Sequence, residues 1–212
     1  MIEAPIWQPV GSENTVEAFH RLYFDKGRWA IQWKGHTVLK WPGDLFTYAE
    51  ILHKNRVDAL IETGTAYGGS ALFFADVMDT LGRGCVITID REVACQTRPQ
   101  HSRIIYLEGD SIAMAAEVKA EIPKEWRVMV SLDSDHKKDH VVREINAYKD
   151  LVTPGQYLVV EDTDLNGHPV YPTHGPGPYE AVQEFDDPAF KIDSQMATRH
   201  MFSMHTWLRK EE

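Results

Sequence analysis

The sequence predicts an α/β fold in which a mostly parallel, seven-stranded sheet is flanked by helices, and three observations carry that expectation. From Val57 onward, short apolar runs alternate with amphipathic helical stretches, the rhythm of repeated βαβ units. The runs are mostly apolar rather than alternating, as strands buried on both faces are. The first ends in a glycine-rich turn that feeds a helix, and later ones end in acids.

The elements follow in order. Residues 14–24 read as a helix with Asn14 as its cap and Val16, Phe19 and Tyr23 on one face. Asp44 is read as the cap of a second helix running through about Lys54, with an aromatic segment from Trp29 to Trp41 between them. Residues 1–55 thus form a helical and aromatic cap segment, and 56–212 the core of the same single domain. Strands are expected near 58–62, 84–90, 103–107, 127–133 and 156–161, closed by later ones near 190–193 and 199–208. After the first strand, Phe74, Val77, Met78 and Leu81 share a helix face; after the fourth, Val141, Ile145, Tyr148 and Val152 do. Residues 166–178 form a long irregular loop.

Composition excludes several partners. A formal charge of -10 does not suit a phosphate backbone, which is bound by clustered Lys and Arg. Cys85 and Cys95 lack the spacing of a zinc site and fit a reducing compartment. No apolar stretch approaches the length of a membrane span, and MIEAPIWQPV is unlike a signal peptide, so a cytoplasmic protein without a membrane partner is expected.

Sheets of this kind bind ligands at the carboxyl ends of their strands. The first strand leads into Glu62-Thr63-Gly64-Thr65-Ala66-Tyr67-Gly68-Gly69-Ser70, whose glycines let the backbone turn tightly and approach a ligand. Their register is neither that of a dinucleotide fold nor that of a phosphate loop. Asp90 ends the second strand, where a carboxylate accepts both hydrogen bonds of a ribose diol. Asp110 and Ser111 follow the third strand and could meet an adenine. Together these residues point to an adenosyl ligand. The fourth and fifth strands end in Asp133-Ser134-Asp135-His136 and Glu161-Asp162-Thr163. If the two strands are neighbours, Asp133, Glu161 and Asp162 converge, and facing carboxylates require a cation; hard oxygen ligands select Mg, Mn or Ca. Asp135 and His136 are the candidate general bases.

Glu62-Thr63-Gly64, Gly69-Ser70-Ala71-Leu72-Phe73-Phe74-Ala75, Ile89-Asp90, Asp133-Ser134-Asp135-His136, Pro154-Gly155 through Thr163 and Gly175-Pro176-Gly177-Pro178 occur in order. With Trp33-Lys34-Gly35 and Lys40-Trp41-Pro42-Gly43-Asp44 upstream, they resemble the cephalosporin hydroxylase/rhamnosyl O-methyltransferase family over residues 29–209. The resemblance implies a Rossmann-like S-adenosylmethionine (SAM)-dependent methyltransferase fold with a metal site, acting on a hydroxyl of a small molecule such as a sugar, a phenol or a secondary metabolite. By similarity to catechol-type O-methyltransferases, Glu62, Gly64, Thr65, Tyr67, Gly68, Ser70 and Asp90, with Asp110, Ser111 and Asp133, line the SAM site. Asp133, Glu161 and Asp162 would hold Mg, although those enzymes have Asp-Asn where this chain has Glu161-Asp162. Tyr171 and His174 are expected to wall the acceptor pocket and Trp33 or Trp41 to cover it, and a homo-oligomer is expected. The alternatives are a cephalosporin-hydroxylase-type oxygenase and a noncatalytic SAM-binding protein.

Overall fold

The computed structural model describes residues 15–92, 98–199 and 203–212. Helix α1 (Thr15–Leu22) continues through a π turn at Tyr23–Gly27 and a short 3-10 turn at Arg28–Ala30. Strands β1 (Gln32–Trp33) and β2 (His36–Thr37) form a small antiparallel ribbon, and α2 spans Pro42–Lys54. The core then alternates: β3 (Ala59–Thr63), α3 (Gly69–Leu81), β4 (Cys85–Asp90), β5 (Ile104–Glu108), α4 (Ser111–Glu121), β6 (Val128–Leu132), α5 (Lys138–Tyr148) and β7 (Tyr157–Val160). It closes with α6 (Pro178–Glu184), β8 (Phe190–Ile192), α7 (Ser194–Arg199) and β9 (Thr206–Lys210).

The seven-stranded sheet has the order β5-β4-β3-β6-β7-β9-β8. Its first five strands are parallel, and β9 runs antiparallel between β7 and β8. Alternate residues of each buried strand feed two apolar layers, as the two-residue period of a strand dictates. Ile61, Ile87, Val130 and Leu158 pack on one side beneath α4, α5 and α6. Leu60, Val86, Met129, Val159 and Trp207 pack on the other, against Tyr48 and Leu52 of α2 and Phe74 and Met78 of α3.

Three expectations need correction. Helix α2 begins at Pro42, because a proline at its start supplies the helical φ, so Asp44 lies in the first turn, fully buried, and is not the cap. The closing strand starts at Thr206 rather than near 199, because Asp193 Oδ1 accepts from the N–H groups of Gln195 and Met196 and starts α7 there. Val152 lies beyond α5 yet is buried with its face. Asn14 and Cys95 lie outside the described residues.

The strand order reverses at β3, with β4 on one side and β6 on the other, and a cleft opens at the carboxyl ends there. The loop 166–178 is fastened by Glu180. The Glu180 carboxylate accepts from Gly177 N at 2.7 Å and Asn166 Nδ2 at 2.8 Å and lies 3.0 Å from His168 Nε2. Partial burial raises its pKa, but these donors prevail and hold it at about 2, against an ordinary 4.5. The carboxylate therefore stabilises the fold above pH 4.5 and ceases to as pH falls toward 2. Glu180→Gln should lose on the order of 1–3 kcal/mol at neutral pH, with the deficit vanishing near pH 2 in urea unfolding followed at a series of pH values.

Candidate functional site

The cleft at the switch point has a volume of about 350 Å³ and divides into a glycine half and an acidic half. In the glycine half, Gly64 takes φ +85°, and a Cβ there would lie 2.0 Å from the carbonyl oxygen of Asp133. Only glycine permits this contact between the β3 turn and the β6 end. Gly68 (φ +73°) then turns the chain into α3. Asp90 Oδ2 accepts from Ala66 N at 2.9 Å, which ties the end of β4 to that turn. Gly64, Thr65, Tyr67, Ser70, Asp90 and Ser111 all line the cleft.

Two residues assigned to this half serve it from outside. Glu62 is completely buried and accepts from Thr88 Oγ1 at 2.9 Å, so its carboxylate points into the sheet rather than the cleft. Asp110 caps α4, accepting from Ile112 N and Ala113 N, and pairs with Arg91. Neither is among the lining residues, and Gly68 is also set back.

In the acidic half, Asp133, His136 and Asp162 each offer one side-chain N or O atom, all within 4.8 Å of one another. His136 Nε2 lies 3.4 Å from Asp162 Oδ2 and 3.9 Å from Asp133 Oδ1. Burial opposes charge on His136, but Asp162 and Asp133 outweigh it and raise its pKa. Asp135 is more exposed, and its carboxylate accepts from Lys137 N at 3.0 Å. Between the two candidate bases, His136 is the one beside the acids.

Glu161, the third of the expected ligands, has partners of its own in this structure. Its carboxylate is buried and faces Lys40 Nζ at 2.6 Å and Tyr48 Oη at 2.7 Å, and Ser131 also donates to it. Its other oxygen lies 3.4 Å from His205 Nε2, which also faces Asp44 at 3.2 Å. Burial alone would raise the pKa of Glu161; Lys40 and His205 hold it at about 2. Asp133 shows the opposite balance: burial, reinforced by the charges of Glu161 and Asp162, pushes its carboxyl up to about 7 despite Lys40. A site so crowded with negative charge suits a hard divalent cation held by carboxylate oxygens, with one imidazole beside them.

The aromatic residues of the cleft also depart from expectation. Trp41 lines the cleft, but Trp33 does not: its Nε1 donates to Asp76 at 2.6 Å and its ring packs on Phe73. Tyr171 stands one layer out, edge-on to Phe24 at 4.4 Å. His174 contributes its carbonyl to Lys137 rather than its ring to the cleft. The wall is built instead by Tyr23, Phe24, Arg28 and Trp29 from the turns after α1, with Leu39 and Lys40. Tyr23 and Phe24 reach the cleft from the π turn at Tyr23–Gly27 and Arg28 and Trp29 from the 3-10 turn after it, which helical periodicity could not foresee. The sequence did carry one signal for Lys40, its place in the Lys40-Trp41-Pro42-Gly43-Asp44 motif.

Known proteins resemble the chain throughout. The family described as Rhamnosyl O-methyltransferase/CmcI matches residues 26–211. A rhamnosyl O-methyltransferase from Mycobacterium bovis (strain BCG / Pasteur 1173P2) is 36% identical over 183 residues, covering 83% of this chain and 75% of the relative. A ligand-free CmcI structure superposes with a TM-score of 0.68 at 22% identity, covering 99% of this chain and 87% of that one. A CmcI structure with Mg and SAM gives 0.66 at 21% identity, over 99% and 88%.

The buried network around Glu161 should be measurable by itself. Tyr48→Phe removes a hydroxyl that bridges Glu161 and Ser131; it should cost about 1–3 kcal/mol in chemical denaturation, with the slope of the transition unchanged.

Proposed function

This chain belongs to the rhamnosyl O-methyltransferase/CmcI family, and from that premise we infer that it transfers the methyl group of SAM to a metal-activated hydroxyl in the cleft at the switch point. It is a SAM-dependent, divalent-metal-dependent O-methyltransferase acting on a small hydroxylated molecule. The observation that carries the residue assignment is the meeting, in one cleft, of the Gly64–Asp90 turn with the cluster of Asp133, His136 and Asp162.

In our reading, Asp90 accepts hydrogen bonds from the ribose hydroxyls of SAM, and Gly64 and Thr65 let the backbone approach it, with Tyr67, Ser70 and Ser111 completing the wall. Asp133 and Asp162 hold the cation, with His136 beside them and Glu161 behind Asp133. A bound divalent cation lowers the pKa of a coordinated hydroxyl, and SAM supplies an electrophilic methyl group. His136 takes the acceptor proton at Nε2, and Asp162 and Asp133 stabilise the imidazolium that results. The acceptor oxygen forms its bond to the methyl carbon as the carbon–sulfur bond breaks, and the bonding pair goes to sulfur. Tyr23, Phe24, Trp29 and Trp41 form an apolar wall that orients the acceptor and excludes water. The relatives' name makes a deoxysugar hydroxyl our first candidate acceptor. The single imidazole of this cluster does not match the two-His, one-carboxylate set of nonheme iron oxygenases.

No described helix is long and apolar enough to cross a membrane. The free thiol of Cys85 supports a cytoplasmic setting. Leu22 and Phe46, exposed on the two N-terminal helices, offer apolar surface for self-association; light scattering should then give a mass above the 24.2 kDa of one chain.

Calorimetric titration tests the assignment. Asp90→Ala should weaken SAM binding at least about tenfold, whereas His136→Gln should lower kcat about 10²–10⁴-fold and leave SAM affinity near that of the wild type. If wild-type protein takes up no SAM, the reading of the cleft is wrong.

A further inference from the structure

The feature that the methyl-transfer reading leaves unused is Lys40. Its ammonium is almost completely buried, 2.7 Å from Asp133 Oδ2, 2.6 Å from Glu161 Oε1 and 3.8 Å from Glu62 Oε1. The two oxygens of Asp133 are therefore divided. Oδ2 is bonded to Lys40, while Oδ1 faces His136 and the point where Asp162 converges. One carboxylate thus serves a fixed positive charge on one side and a candidate cation site on the other.

We infer that Lys40 is a resident counter-ion that sets how tightly this site takes a divalent cation: it neutralises the buried acids when the site is empty and weakens cation binding through its charge. The inference rests on the metal reading above. Two physical effects drive it. Repulsion between the ammonium and a divalent cation a few ångströms away, across a poorly solvated site, opposes loading. The hydrogen bond from Nζ also draws electron density from the carboxylate that must donate to the metal. In return, the acids need no metal for the chain to fold, because a buried carboxylate without a partner is strongly destabilising. Lys40 is unsuited to act as the base. Burial disfavours its charge, but Asp133, Glu161 and Glu62 outweigh that and keep it protonated, with a pKa well above that of an ordinary lysine.

The test is calorimetric titration of MgCl2 into the full chain, comparing wild type with Lys40→Met, Lys40→Arg and the double variant Lys40→Met/Glu62→Gln. The double variant removes one buried charge of each sign and guards against misfolding of the single one. Lys40→Met, or the double variant if the single one does not fold, should bind Mg at least tenfold more tightly than wild type, and Lys40→Arg should stay within threefold of it. Thermal unfolding should agree: Mg should raise the Tm of the methionine variant by more than it raises that of the wild type. Equal or weaker Mg binding by both methionine variants, in a wild type that does bind Mg, overturns the role of Lys40 and leaves the metal reading intact. Absence of Mg binding in every protein overturns both, whereas binding by the methionine variants alone supports the inference in its strongest form.

Discussion

The charge balance around Lys40 is the constraint on which the rest of the site depends. Four acids, Glu62, Asp133, Glu161 and Asp44, lie buried or nearly so at the carboxyl end of a sheet whose interior is mostly apolar. Carboxylates in such surroundings are tolerated only when paired and hydrogen-bonded. Lys40 answers Asp133 and Glu161 directly and Glu62 at longer range, while His205 stands between Glu161 and Asp44. Tyr48 and Ser131 complete the shell of donors around Glu161. These partners come from α2, β3, β6, β9 and the segments beside them, so the same contacts that neutralise the acids also lock helix α2 onto the sheet.

That arrangement separates two neighbouring acids that look equivalent in the sequence. At the end of β7, Glu161 continues the inward side of the strand and falls among Lys40, Tyr48 and His205. Asp162 takes φ +53°, which turns its carboxylate toward His136. One residue balances charge in the interior and the next faces the cleft. A left-handed backbone at a non-glycine residue is uncommon and, where it occurs, tends to mark a functional position.

The core was legible in the sequence because its period is strong. Strands 59–63 and 128–132 are buried at every position and mostly apolar, and the stripes of Phe74 with Met78 and of Val141 with Ile145 pack against them. The turn of Gly64 and the acids Asp90, Asp133 and Asp162 were legible too, since their chemistry is unusual at a strand end. Glu62 and Asp110 were misplaced because position along a strand does not tell whether a carboxylate points into the sheet, as Glu62 does, or bonds to backbone N–H groups, as Asp110 does. Lys40, His205 and the aromatic wall were missed for a different reason. They reach the site from segments remote in sequence, through a π turn and a helix start that no local periodicity encodes.

The N-terminal segment carries most of the aromatic wall of the cleft while contributing no strand to the main sheet. It is fastened by His20 against Asp164 at 3.3 Å and by Phe24 against Leu165 and Val170, all outside the Gly64–Asp90 turn. Evolution can therefore exchange Tyr23, Phe24, Arg28 and Trp29 with little effect on the Gly64–Asp90 turn or the acid cluster. A lineage that keeps one methyl donor and diversifies its acceptors has, in this segment, a part that can drift while the chemical machinery stays under constraint.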